Sequence, residues 1–232
     1  MTVPGSLSRR RFVAGAALTT LVAGRGAAAA RRVVVEDWRT PPVGASGVPH
    51  GWRAYETPGG HPRYDFTVRE DDGRRALDLR SADDHSTIAK EITVDLTVTP
   101  VLEWSWKVVT LPAGADLRKR ATSDATGHVF VIWPRFPAML RSRLIGYVWD
   151  ETLPAGTTVQ SAKTSTVTFV IVRSGRAGLG RWHDERRDVA ADYRRIYGEP
   201  APAPRAVALS IDTNDTRAPA EAWFGAIAFA AP

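Results

Sequence analysis

Apolar and polar positions alternate strictly along two stretches of this chain. Ile92, Val94, Leu96 and Val98 interleave with Thr93, Asp95, Thr97 and Thr99; beyond Pro100, Leu102, Trp104, Trp106 and Val108 interleave with Glu103, Ser105, Lys107 and Val109. Period two sends successive side chains to opposite sides of an extended backbone, so both stretches read as half-buried strands. On that reading Trp104 and Trp106 belong to the core, while Glu103, Ser105 and Lys107 form the other face. Residues 129–133 and 167–172 are almost wholly apolar and rich in β-branched and aromatic types, which predicts central strands covered on both faces. Weaker signals predict strands at 33–37, 64–68, 76–79, 144–149, 207–211 and 223–229. About ten short strands separated by turn residues predict a mostly β fold, a jelly-roll β-sandwich.

One segment has a different period. Val189, Ala190, Tyr193, Ile196 and Tyr197 recur at helical spacing, so a single amphipathic helix is predicted over 184–197. Asp184, Glu185 and Asp188 would occupy its first turns and Arg194 and Arg195 its last, with Gly198 and Pro200 ending it. Its charged side reads as a solvated face. No repeat or long linker divides residues 31–232, which are expected to form one domain.

Residues 1–30 read as a leader. Arg9, Arg10 and Arg11 precede Phe12 and a mildly apolar run, and Ala28, Ala29 and Ala30 supply small residues for cleavage after Ala30. The pattern is similar to a twin-arginine export signal, so the translocase of that route is an expected partner. The apolar run falls short of the roughly 20 residues needed to span a bilayer, and no transmembrane anchor is expected in the mature protein. A periplasmic or extracellular location follows.

Charge changes the list of partners. Of 31 Lys and Arg residues, set against 25 Asp and Glu, four lie in that leader with no acid beside them. The remaining chain is nearly balanced, so no nucleic-acid partner is implied. Absence of Cys excludes disulfides and thiol chemistry, and the five His residues show no i,i+4 pair suited to zinc.

Candidate chemistry is sparse. Eight Trp residues in a β-sandwich suggest sugar recognition, and the ligand-binding candidates are Glu103, Lys107, Trp149, Asp150 and Trp182. Glycoside hydrolysis would need two carboxylates about 5–9.5 Å apart, for which Glu103, Asp150 and Glu185 are the candidates. The plainer alternatives are a solvated strand face for Glu103, a strand-end Asx turn for Asp150 and a helix start for Glu185. Asp212, Asn214 and Asp215 could serve a structural calcium, the one cofactor candidate; the alternative, favoured here, is an Asx turn.

Several blocks resemble the bacterial domain-of-unknown-function 3047 family: Lys90 to Leu96, Trp104 to Val108, Leu111 to Asp116, Gly146 to Asp150, Asp212 to Thr216, and Trp223 to Gly225. The resemblance runs from about residue 38 to 229 and implies exported bacterial proteins with no established activity. Family patterns tend to carry an acid where Ser123 stands, an Arg near His128 and an acid near Ala226, so a metal or ligand site built from those acids would be eroded here. The last strand is also similar to the closing strand of galactose-binding-like jelly rolls, which implies a structural calcium and a carbohydrate site.

Three functions follow as expectations. The first is an exported module without catalysis that binds glycan or cell-envelope polymer. The second is a hydrolase or lyase acting on polysaccharide, and the third is a structural component of an envelope complex.

Overall fold

The computed structural model describes Met1 and residues 31–55 and 62–232. The expected leader, with Arg9, Arg10 and the cleavage position after Ala30, lies outside the described residues, as does His61. Among the described residues thirteen strands form two facing sheets, a β-sandwich of jelly-roll type. The six-stranded sheet holds β1 (Arg32–Glu36), β3 (Phe66–Asp71), β4 (Arg74–Ser81), β6 (Val101–Thr110), β11 (His183–Asp188) and β13 (Ala220–Ala230). Its order is β11-β6-β13-β4-β3, with β1 also paired to β13. The seven-stranded sheet, ordered β2-β5-β12-β7-β8-β10-β9, holds β2 (Arg53–Ala54), β5 (His85–Glu91), β7 (Ala125–Trp133), β8 (Arg143–Asp150), β9 (Thr158–Gln160), β10 (Val167–Ser174) and β12 (Ala206–Asp212). All pairings are antiparallel except that of β8 with β10.

The core lies between the sheets and is largely aromatic. Trp104 stacks on Tyr147 at 5.5 Å, and Trp106 meets Trp149 at 6.0 Å and Phe224 at 6.2 Å. Trp104 and Trp106 are buried, as their alternation predicts. Strands β7 and β10 are buried on both faces: Val129, Val131 and Val170 enter the inter-sheet core, while Phe130, Phe169 and Ile171 join a second cluster with Leu117 and Leu153.

Two elements differ from the sequence reading. Residues 92–99 are not a strand, because Asp95 imposes a turn. Its Oδ1 accepts from the Thr97 amide at 2.8 Å and its carbonyl from the Val98 and Thr99 amides at 3.1 and 2.9 Å. These local bonds compete with ladder formation and win, while Val94 and Leu96 still reach the core.

The expected helix is shorter. The helix, α1 (Val189–Tyr197), is preceded by strand β11, which occupies the first third of the predicted span. An open edge of β6 offers backbone partners, and the charged sequence of β11 suits an edge strand. Asp188 then caps the helix, accepting from the Ala191 amide at 2.8 Å, and Gly198 closes it in the left-handed conformation at φ 74°.

Candidate functional site on the outer face of the six-stranded sheet

Cross-strand register decides which side chains share the solvent-facing side of this sheet. On β6, Glu103, Ser105 and Lys107 point outward; opposite them on β11 stand Arg186 and Asp184, and opposite Lys107 on β13 stands Trp223. Lys107 Nζ lies 3.9 Å from the centre of the Trp223 ring and 5.5 Å from that of Trp182, just before β11. Arg69 from β3 lies 5.9 Å from Trp223, and Arg74 from β4 lies 5.5 Å from Trp182. The result is a ladder of alternating cations and rings, Arg69, Trp223, Lys107, Trp182 and Arg74.

Carboxylates lock that ladder. Asp71 accepts from Lys107 Nζ at 2.6 Å and from Trp182 Nε1 at 2.8 Å, and these bonds hold its carboxyl below the usual range. Trp223 Nε1 donates to Glu221 at 2.8 Å. Asp78, almost fully buried beneath, is pushed up by burial although Arg80 and Arg69 pair with it.

Beside the ladder the face opens into a groove of about 350 Å³. Ser105 and Ala226 line its base, Arg74 and Asp184 one side, and Arg32, Glu103 and Arg186 the other. A bulge in β13 between Phe224 and Ile227 places Gly225 against Ser105 and Trp182. A Cβ on Gly225 would come within 2.1 Å of Ser105 Oγ and 3.5 Å of the Trp182 ring. Only glycine allows this close approach, which seats Trp182 against β13 next to Ala226.

The expected ligand-binding set is therefore divided. Glu103, Lys107 and Trp182 share the outer face of the six-stranded sheet. Trp149 is buried against Trp106 and donates to the Gly175 carbonyl at 2.8 Å, and its place with Ile145 and Tyr147 on one side of β8 was legible as period two. Asp150 ends the same strand of the other sheet, buried in an Asx turn with the Thr152 and Leu153 amides at 2.7 and 2.6 Å.

The three carboxylates considered for hydrolysis do not converge. Glu103 lies on the outer face, held by Arg32 and Arg186. Glu185, opposite Trp104, points to the core side, accepts from Trp106 Nε1 at 3.0 Å and pairs with Arg173. Asp150 is on the other sheet. Sequence reasoning missed Arg32, Arg74, Ser105 and Ala226, which reach the groove from four different strands.

The calcium candidates do meet, around an ammonium. Lys163 Nζ lies 2.6 Å from Asp215, 3.3 Å from Asn214 Oδ1 and 3.5 Å from Asp212. Burial alone would lower the Lys163 pKa, but Asp212 and Asp215 outweigh it and raise it. With its oxygens sharing a resident cation, this donor set does not fit a calcium ion. Among the described residues no group of three or more His, Cys, Asp or Glu side chains is placed to hold a metal. The positions where the family pattern differs are also separate: Ala226 lies in the groove, whereas His128 is on the other sheet.

A model of the family described as "Protein of unknown function (DUF3047)" matches residues 50–228, in agreement with the residue blocks. No curated protein matches the chain. Among solved structures, it is similar to a family 11 carbohydrate-binding module of a cellulosomal cellulase of Clostridium thermocellum, with 9% identity, 88% of this chain and 96% of that one covered, and a TM-score of 0.45. A family 30 carbohydrate-binding module from the same organism shows 15% identity, 86% and 96% coverage and a TM-score of 0.41. The xyloglucanase domain of a type three effector from Sinorhizobium fredii shows 9%, 81% and 97%, and 0.42.

Proposed function

The chain belongs to the DUF3047 family, and from the geometry of its own groove we propose that it is an exported module that binds glycan or cell-envelope polymer. The carrying observation is the open groove of about 350 Å³ lined by Arg32, Arg74, Glu103, Ser105, Asp184, Arg186 and Ala226. Sugars present rows of hydroxyls, which planar guanidinium and carboxylate groups suit. Small residues at the base, Ser105 and Ala226, leave room for a ring. Of the three carboxylates considered for hydrolysis, Glu185 is bound to Trp106 and Arg173 on the core side and Asp150 lies on the other sheet. Among the described residues no helix is long and apolar enough to cross a membrane.

The test is a glycan array followed by calorimetry of wild type, Trp182→Ala and Glu103→Gln against envelope polysaccharides. We expect a glycan with a Kd below millimolar and at least a tenfold loss in Trp182→Ala. If no glycan binds, or both variants bind as wild type does, the reading fails. Export is tested separately: changing Arg9 and Arg10 to Lys should trap precursor in the cytoplasm, because the pair is read as guanidinium and not as charge alone.

A further inference from the structure

We propose that the groove selects an anionic glycan, one whose sugar units carry a carboxylate or phosphate, and that Arg32 and Arg186 receive that oxyanion; this rests on the glycan reading of the same groove.

The argument starts from β13. Ala228 stands between Glu103 on β6 and Val34 on β1, and its methyl group lets Arg32 reach across the strand to Glu103. From the other side Arg186 on β11 reaches the same carboxylate. Both arginines engage through Nε, Arg32 to Oε2 at 3.3 Å and Arg186 to Oε1 at 3.4 Å. Their terminal amino groups form no hydrogen bond among the described residues, and the side chains remain 46% and 60% exposed. One carboxylate thus holds two guanidinium groups at the groove wall and satisfies only part of either.

The third arginine, Arg74, pairs with Asp184 at 2.9 Å. Glu185, the third acid along the groove, is taken up by Arg173 and Trp106 on the core side, so three guanidinium groups face the two remaining carboxylates, Glu103 and Asp184, a surplus of one positive charge with unused, forked N–H donors. A planar fork of this kind matches a carboxylate or phosphate in two-point contact, whereas a neutral hydroxyl uses one donor at a time. Glu103 acts as the positioning group: it pre-orients both arginines, so an incoming oxyanion need not order two long side chains.

Calorimetry on the processed full chain tests this with four probes. These are a de-esterified oligogalacturonate, the same oligomer fully methyl-esterified, a neutral cello-oligosaccharide, and a poly(mannose phosphate). The expected result is at least tenfold tighter binding of the galacturonate or the phosphate polymer than of the ester and the neutral oligomer. That affinity should weaken as salt rises. Preference between the two anions identifies the source of the charge. Arg32→Gln with Arg186→Gln should lose at least tenfold in affinity for the preferred anion at an unchanged melting temperature. A control pair outside the groove, Arg194→Gln with Arg217→Gln, should bind as wild type does. Equal affinity for both anions and the ester, undiminished binding by the groove variant, or equal loss in the control pair overturns the inference and leaves the glycan reading standing. Failure of all four probes and of the glycan array removes both.

Discussion

Both sheets give their inner faces to one core, but their outer faces are finished in opposite ways. On the seven-stranded sheet Phe130, Val148, Phe169 and Ile171 lie under Leu117 and Leu153, and His128 is sealed among them, 5.0 Å from Phe130. On the six-stranded sheet the corresponding side carries the ladder of arginines, Lys107 and two half-buried tryptophans, ending in an open groove. The first face is closed by apolar contact and can only stabilise. The second is held by directed bonds that leave donors and ring edges in water, where a ligand can replace solvent.

The sharpest break in that comparison is Phe169→Ala. Removing the ring from the closed face should cost about 3 kcal/mol in denaturant unfolding, and a loss below 1 kcal/mol would show that this face is not a second core.

The pH dependence should come next. Burial pushes the His128 imidazole down to about 3, with the charges of His85 and Lys163 adding and Ser210 and Asp124 opposing. The unfolded chain takes up a proton below pH 6.5 that the native state refuses, so this contribution is present above 6.5 and is lost as pH falls toward 3. Between pH 7 and pH 5 the wild type should therefore lose about 2 kcal/mol more than His128→Asn, measured by unfolding at both pH values. Parallel losses would place His128 in contact with water.

A smaller effect is expected at Lys163, about 1–2 kcal/mol for Lys163→Met, since the side chain is partly exposed. Chelator should leave the wild-type melting temperature unchanged, while calcium should stabilise the variant, whose Asp212 and Asp215 lack their cation. A chelator-sensitive wild type would show that a metal competes successfully with the lysine.

The smallest effect on stability belongs to Trp182→Ala on the open face, under about 1 kcal/mol. Melting curves beside the binding assay would show whether that face serves recognition or merely packing.

The difference between the faces was partly written in the residue pattern. Alternation in β6 put Glu103, Ser105 and Lys107 on the outer face, and its absence at 129–133 and 167–172 announced strands covered twice. The pattern misled where polar residues form strands. β5, with His85, Ser86 and Thr87 at its start, lacks an apolar signature, and β11 carries acids that suit a helix start equally well. For β11 the deciding factor was the free edge of β6, which is not local to the segment.

The groove was legible only residue by residue. Of its lining Glu103 could be named from strand parity, while Lys107 and Trp182 stand in the ladder beside it, and Trp149, of the same type as Trp182, lies in the core. The sequence alone determined the fold class, the inward and outward sides of the main strands, and the turn chemistry of Asp150, because these depend on neighbours within a few positions. Tertiary structure alone decided that Arg32, Glu103 and Arg186 meet, that Lys163 fills the acidic turn and that Gly225 admits Trp182. Such contacts join residues far apart in the chain, and their geometry is set by strand order and register, which short-range preferences do not specify.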